Sequence, residues 1–185
     1  MTDASISSWI YTHDRNNTVR YLLGTIGSNP LICVGINPST AAPNALDNTL
    51  KSVERLSLYH GHDSWIMLNV YPQRATNPND MHVECDPVIH KRNLEAIWNI
   101  IQNIQKPRFW AAWGTLIEKR PYLLSCLNDI CLIAEKKDSS WVSMGKTSTK
   151  GHPHHPLYLS KTCEKNDFDI KGYLAQQLST RPMSL

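Results

Sequence analysis

The chain has 185 residues, 41% of them apolar and 19% charged, with a formal net charge of +3. That size and composition fit one soluble globular domain, residues 1–185, with a sizeable core. The charge permits a polyanionic partner but is short of a dedicated electrostatic clamp on nucleic acid. No apolar run approaches the ~18 residues of a membrane span.

The opening "MTDASISSWIYTHDRNN" is polar and lacks the apolar segment of a signal peptide, so a cytoplasmic protein is expected. Cys33, Cys85, Cys126, Cys131 and Cys163 are odd in number and form no C-x-x-C pair, so free thiols are expected. "TVRYLLG" (18–24) reads as an outer strand. Four apolar runs follow along the chain: "LICVG" (31–35), "WIMLNV" (65–70), "RFWAAWG" (108–114) and "ICLIAE" (130–135). Each is of strand length and nearly continuous, the pattern of parallel strands buried on both faces.

Helical signals lie between them. "LDNTLKSVERLSLYHG" places Leu46, Leu50, Val53 and Leu56 on roughly one face and stops at Gly61. In "DPVIHKRNLEAIWNIIQNIQ", Asp86 suits the N-cap and Pro87 the first helical position. Leu94, Ile97, Trp98, Ile101 and Ile104 then recur at helical spacing. After Gly114, "TLIE" has the form of a capping box from Thr115 to Glu118. "EKKDSS" (135–140) reads as a solvated loop, and "FDIKGYLAQQL" as a C-terminal helix despite Gly172. Strands alternating with helices predict an α/β fold, a three-layer α/β/α sandwich around a mainly parallel four-stranded sheet.

In such sheets the ligand crevice lies beyond the carboxyl ends of the strands. Three of the predicted strands end there in Gly35–Asn37, Asn69 and Trp113–Gly114. "GINPST" breaks the first core strand with a glycine, an amide and a proline. Glycine permits close backbone approach, and Pro38 restrains Asn37 toward extended geometry. A simple Asx-type turn and a rigid amide aimed at a substrate are both compatible with that spacing. Asn69 ends an apolar strand, and a buried amide must be hydrogen-bonded. It can bond its own loop, or offer a paired donor and acceptor to a flat heterocycle. Arg74 and Thr76 in the following loop can contact phosphate or solvent.

"KGHPHHPLYLSK" (150–161) carries three histidines in four positions between two prolines. No further ligand set completes a metal site, so neither metal nor cofactor is expected. A histidine on such a stiff loop suits hydrogen-bond donation or acid/base work. Leu157 and Leu159 can equally pack inward. The tryptophans at 65, 98, 110, 113 and 141 read as core. There is no Walker A motif, no G-x-G-x-x-G and no nucleophile elbow, and "GKTSTKG" lacks phosphate-loop spacing.

The order of these motifs resembles the uracil-DNA glycosylase superfamily over about residues 31–161. "GINPS" resembles motif 1 of the mismatch-specific and thymine-DNA glycosylase branch, G-I-N-P-G. "IMLNVYPQRAT" resembles the superfamily's strand ending L-L-L-N, and "FWAAWG" its strand ending Trp-Gly. "HPLYLS" resembles motif 2, H-P-S-P-L-S. The chain also looks like an uncharacterised bacterial branch with N-P-S-T and H-P-L-Y motifs.

The resemblance implies a role for each matched position. Asn37 takes the water-positioning place and His155 that of the histidine bonding the base oxygen, the two catalytic candidates. Asn69 takes the place that reads the Watson–Crick edge. Gly35, Ile36 and Ser39 would line the base pocket, with Tyr71 as the aromatic that stacks on the base. Leu159 falls where a leucine wedges into the duplex and Ser160 where a serine contacts phosphate. Thr40, Arg74, Tyr158 and Lys161 complete the DNA-facing set. Ser39 stands where uracil-specific enzymes carry a bulky tyrosine, which implies a roomier pocket. Leu157 and Tyr158 replace Ser and Pro of motif 2, and the four-cysteine spacing of the iron–sulfur branch is missing.

The expectation is therefore a monofunctional DNA glycosylase acting on a flipped mismatched, damaged or modified pyrimidine. A bulky modified cytosine of phage DNA, and hence antiviral defence, belongs to that expectation. The partner would be DNA, as a duplex or single strand, with no membrane and no obligate protein partner. The rivals are an N-glycosidase on free nucleosides or nucleotides, a catalytically silent nucleic-acid-binding module, and a zinc protein.

Overall fold

A computed structural model describes residues 9–180. The first eight residues, part of the polar opening read for a leader, and the last five of the predicted single domain lie outside the described residues. The order is β1 (Trp9–His13), β2 (Arg20–Thr25), β3 (Pro30–Gly35), α1 (Asn48–Tyr59), β4 (Ser64–Asn69), α2 (Pro87–Ile101), β5 (Arg108–Ala111), α3 (Tyr122–Glu135), β6 (Ser140–Met144), β7 (Lys165–Asp167) and α4 (Ile170–Ser179). Short 3-10 turns lie at Pro78–Asp80, Gly114–Glu118 and Pro156–Tyr158.

The fold is α/β, but the sheet is mixed and seven-stranded, in the order β1-β2-β4-β3-β5-β6-β7, rather than four-stranded. β3 pairs in parallel with β4 and β5, and β5 with β6. β1, β2 and β7 add antiparallel pairings at the flanks. The run at 18–24 gives β2, which is covered by β1 rather than standing outermost.

The central strands are buried on both faces, and alternation sorts their side chains between two cores. Ile32, Val34, Ile66, Leu68 and Phe109 face α2, α3 and α4. Leu31, Cys33, Trp65, Met67 and Trp110 face α1, through Leu50, Val53 and Leu56. The carboxyl ends of the parallel strands therefore open beside the start of α1 on one face.

Three local expectations need correction. "ICLIAE" is the last part of α3, not a strand. Its apolar residues continue a helical stripe of Leu123, Leu127, Ile130 and Ala134, all buried, while Leu132 points outward. The fourth parallel strand is β6, "SWVSM", in which Ser140 and Ser143 interrupt the apolar pattern. "TLIE" forms a 3-10 turn without a side-chain cap, because Glu118 bonds instead to Lys150 and His152. The reading of α2 is matched: Asp86 accepts from the N–H groups of Val88 and Ile89 at 2.8 and 3.3 Å, and Pro87 follows it.

Candidate functional site

β3 and β4 end side by side, with Gly35 in register with Asn69. The loops beyond stay zipped together. The N–H groups of Val70, Tyr71 and Ala75 donate to the carbonyls of Gly35, Ile36 and Pro38 at 2.8, 2.9 and 3.0 Å. Asn37 adds a side-chain tie, its Nδ2 donating to the Ala75 carbonyl at 2.7 Å and the Pro38 carbonyl at 3.3 Å. "GINPS" is thus a rigid double loop rather than a free turn.

Two guanidiniums hold that loop from beneath. Arg20, only 2% exposed, donates to the Ala41 carbonyl at 3.0 Å. Arg74 donates to the carbonyls of Ser39 and Ala41 and to the Tyr11 hydroxyl. Burial, with the neighbouring Arg74 charge, pulls the Arg20 pKa down to about 10, against the opposing attraction of Asp47. Ser39 donates its hydroxyl to Asp47, the N-cap of α1, which also accepts from the Leu50 N–H at 2.8 Å.

Asn69 differs from every other amide of the site. Its side chain is fully buried, and neither Nδ2 nor Oδ1 has a hydrogen-bond partner among the described residues. Its backbone carbonyl is fixed by Asn93 Nδ2 at 2.9 Å. Strand alternation turns the side chain to the α1 face, like Trp65 and Met67. There it lies next to Gly35, whose missing Cβ would sit 3.7 Å from Asn69 Oδ1. An unpaired buried polar group costs ~1–3 kcal/mol, so a donor–acceptor pair left this way is poised for an incoming partner.

His155 closes the site from the other loop. It is half-buried and caps the turn Pro156–Tyr158, its Nδ1 accepting the Leu157 N–H at 3.3 Å. In the neutral ring that leaves Nε2–H as a donor. Burial holds His155 below the ordinary imidazole pKa, and the Asp47 charge opposes the shift. Gly114, at φ +61°, lets the β5 loop pass His155, since a Cβ there would lie 3.4 Å from the His155 Cβ. A cavity of about 410 Å³ opens here between Pro78, the Trp113–Leu116 segment, the loop 152–155 and Tyr158.

His152 anchors this loop. It is 1% exposed, with Nδ1 2.8 Å from the Tyr173 hydroxyl and Nε2 3.2 Å from Glu118 Oε1. The Tyr173 oxygen also accepts from Trp113 Nε1 at 3.0 Å. Lys150, then His152, hold the Glu118 carboxyl below its usual range. The three histidines therefore occupy different settings. All three line the cavity, but His152 is buried, His154 exposed and His155 half-buried. Among the described residues no group of three or more His, Cys, Asp or Glu is placed to hold a metal ion.

Gly35 and Asn69 lie side by side at the carboxyl ends of β3 and β4, with Ser39 in the loop that follows Gly35, whereas His155 lies beside Gly114 beyond β5 and lines the cavity, whose walls include none of those three. Ile36 is buried, and Thr40, Ser160 and Lys161 are exposed. Tyr71 is not with them: its ring is buried in the α2–α3 core, and its hydroxyl meets His82 at 2.7 Å and the Asp86 N–H at 3.0 Å. Leu159 is half-buried near Gly145, whereas Leu157 and Tyr158 are exposed, Tyr158 at 77%. The sequence reading missed Asp47, Arg20 and the His152–Glu118–Tyr173 cluster. A charge inside the apolar run of β2 marked Arg20, and a helix-cap position marked Asp47. Nothing local marked the cluster, which spans three separate segments.

A family model described as "protein of unknown function (DUF1643)" matches residues 20–157. No curated protein and no solved structure matches the chain.

Proposed function

The chain belongs to the DUF1643 family, and we propose that it is a monofunctional DNA glycosylase. It hydrolyses the N-glycosidic bond of a flipped-out mismatched, damaged or modified pyrimidine and leaves an abasic site. Ser39 is small where uracil-specific enzymes carry a bulky tyrosine, which leaves room for a bulky substituent, so a modified cytosine of phage DNA, met in antiviral defence, is the preferred substrate class.

The observation that carries this reading is the unpaired, fully buried Asn69 amide at the carboxyl edge of the sheet. A planar base edge supplies the acceptor and donor that it lacks, and repays its desolvation. Cleavage places negative charge on the departing base, which the His155 Nε2–H can stabilise. Asn37 keeps its Oδ1 to hold a water, its Nδ2 being tied to Ala75 and Pro38. The base must first leave the stack. The exposed Leu157 and Tyr158 beside the cavity are better placed than the half-buried Leu159 to hold the gap.

Base release is measured from oligonucleotides carrying uracil, a G·T mismatch or bulky 5-substituted cytosines, with the free nucleosides alongside. His155→Ala lowers kcat by ~10²–10³. Asn69→Ala abolishes release yet leaves the melting temperature unchanged or higher, because it deletes unsatisfied atoms. An Asn69→Ala protein that unfolds early and still cleaves would mean that the amide is structural. Cleavage of nucleosides without DNA would favour a nucleoside hydrolase, and binding without release a silent module.

A further inference from the structure

Asp47 lies outside both sequence motifs, yet it joins them. Through Ser39 it is bonded to the "GINPS" loop. As N-cap of α1 it sits at the end of a helix that packs on the turn Pro156–Tyr158, directly after His155. Its charge is felt at His155 and at Arg20. Gly35 and the Asn69 side chain turn to the same α1 face of the sheet. A carboxylate offers about four lone-pair sites, and the Leu50 N–H and the Ser39 hydroxyl use two of Asp47's.

Asn37 cannot do the work of such a group. An amide takes up no proton at neutral pH, and the Asn37 Nδ2 is held by two backbone carbonyls. Resting on the glycosylase reading above, we infer that Asp47 is the carboxylate that deprotonates the attacking water which Asn37 Oδ1 helps to hold, so that Asp47 and His155 form the catalytic pair. The water oxygen bonds to the sugar C1′ as the C1′–N bond breaks. The electron pair of that bond leaves with the base, whose anion accepts the hydrogen bond from His155 Nε2–H. The water's proton passes to Asp47 and on to solvent, and solvent protonates the released base. The negative carboxylate also faces the positive charge that builds on the sugar.

The N-cap role and the catalytic role are separable, because Asn and Ser cap helices about as well as Asp. Asp47→Asn and Asp47→Ser of the full chain are compared with wild type by base release from the substrate oligonucleotides. Both variants are expected to keep the wild-type melting temperature and KM within threefold and to lose ~10²–10⁴ in kcat. The His155 titration midpoint, followed by NMR, moves down in both, since the charge that opposes the burial shift is gone. Asp47→Asn turning over within threefold of an active wild type would reduce Asp47 to a helix cap and leave the glycosylase intact. A wild type that releases no base from any oligonucleotide would remove the glycosylase reading and this role with it.

Discussion

His155 meets two requirements of the proposed glycosylase. It is buried enough to meet a base, and it stays neutral, so that Nδ1 accepts while Nε2–H is left to donate. The protein meets both by setting the Nδ1 acceptor against the Leu157 N–H and by burial that disfavours the cation. The folded pKa lies below the unfolded value of about 6.5. As pH falls through the unfolded value, the unfolded chain therefore takes up a proton before the folded protein does. Stability is lost as pH drops from the unfolded value to the lower folded one, and the loss is complete below both. The neutral ring also survives to lower pH than in a free histidine. An NMR titration of the His155 ring should show a midpoint below that of a histidine model peptide. A midpoint at or above the peptide value would mean that Asp47 outweighs burial. At this scale the sequence was legible for residue type and blind to surroundings. Asn69 at a strand end was visible, but that its side-chain amide has no partner among the described residues was not. Tyr71, only two residues on, lies in the opposite core.

The elements were read best where a cap and a period agreed. Asp86, Pro87 and the stripe through Ile97 and Ile101 marked α2, and all fell in place. "ICLIAE" misled because six continuous apolar residues satisfy a strand and a buried helix alike. The loop 150–156 shows what local reading cannot supply. Its position depends on His152, which links Tyr173 of α4 to Glu118 of the 3-10 turn after β5. Replacing His152 by Ala should cost roughly 2 kcal/mol, as a buried hydrogen-bonded pair of contacts is lost. For a chain of this size that lowers the melting temperature by about 4–8 °C, measurable by calorimetry. Because His155 rides on the same loop, kcat should fall as well. A variant with unchanged stability would mean that the prolines alone set the loop.

At the level of the whole molecule, the net charge of +3 is modest. Lys146 and Lys161 are exposed, in the segments that flank the loop carrying the cavity histidines. If the proposed glycosylase reading holds, affinity for duplex should fall as salt rises, with a log–log slope set by the few phosphates engaged. A nitrocellulose or anisotropy titration between low and physiological salt checks this. An affinity insensitive to salt would fit a free nucleoside better than a polymer. Among the described residues no helix is long and apolar enough to cross a membrane.

By itself the sequence determined the α/β class, the parallel runs of β3, β4 and β5, the apolar faces of α1 and α2, the cap of α2, and the motifs at the strand ends. These depend on periodicity, propensity and turn chemistry, which act over a few neighbouring residues. Only the tertiary structure decided that the sheet has seven strands, that Tyr71 is buried away from the site, and that Arg74 holds a loop. It also decided that Asp47 at the start of α1 bonds Ser39, and that α1 packs on the turn that follows His155. Such neighbours are brought together by packing helices onto a twisted sheet, and side-chain burial and pairing across that distance leave no periodic trace in the chain.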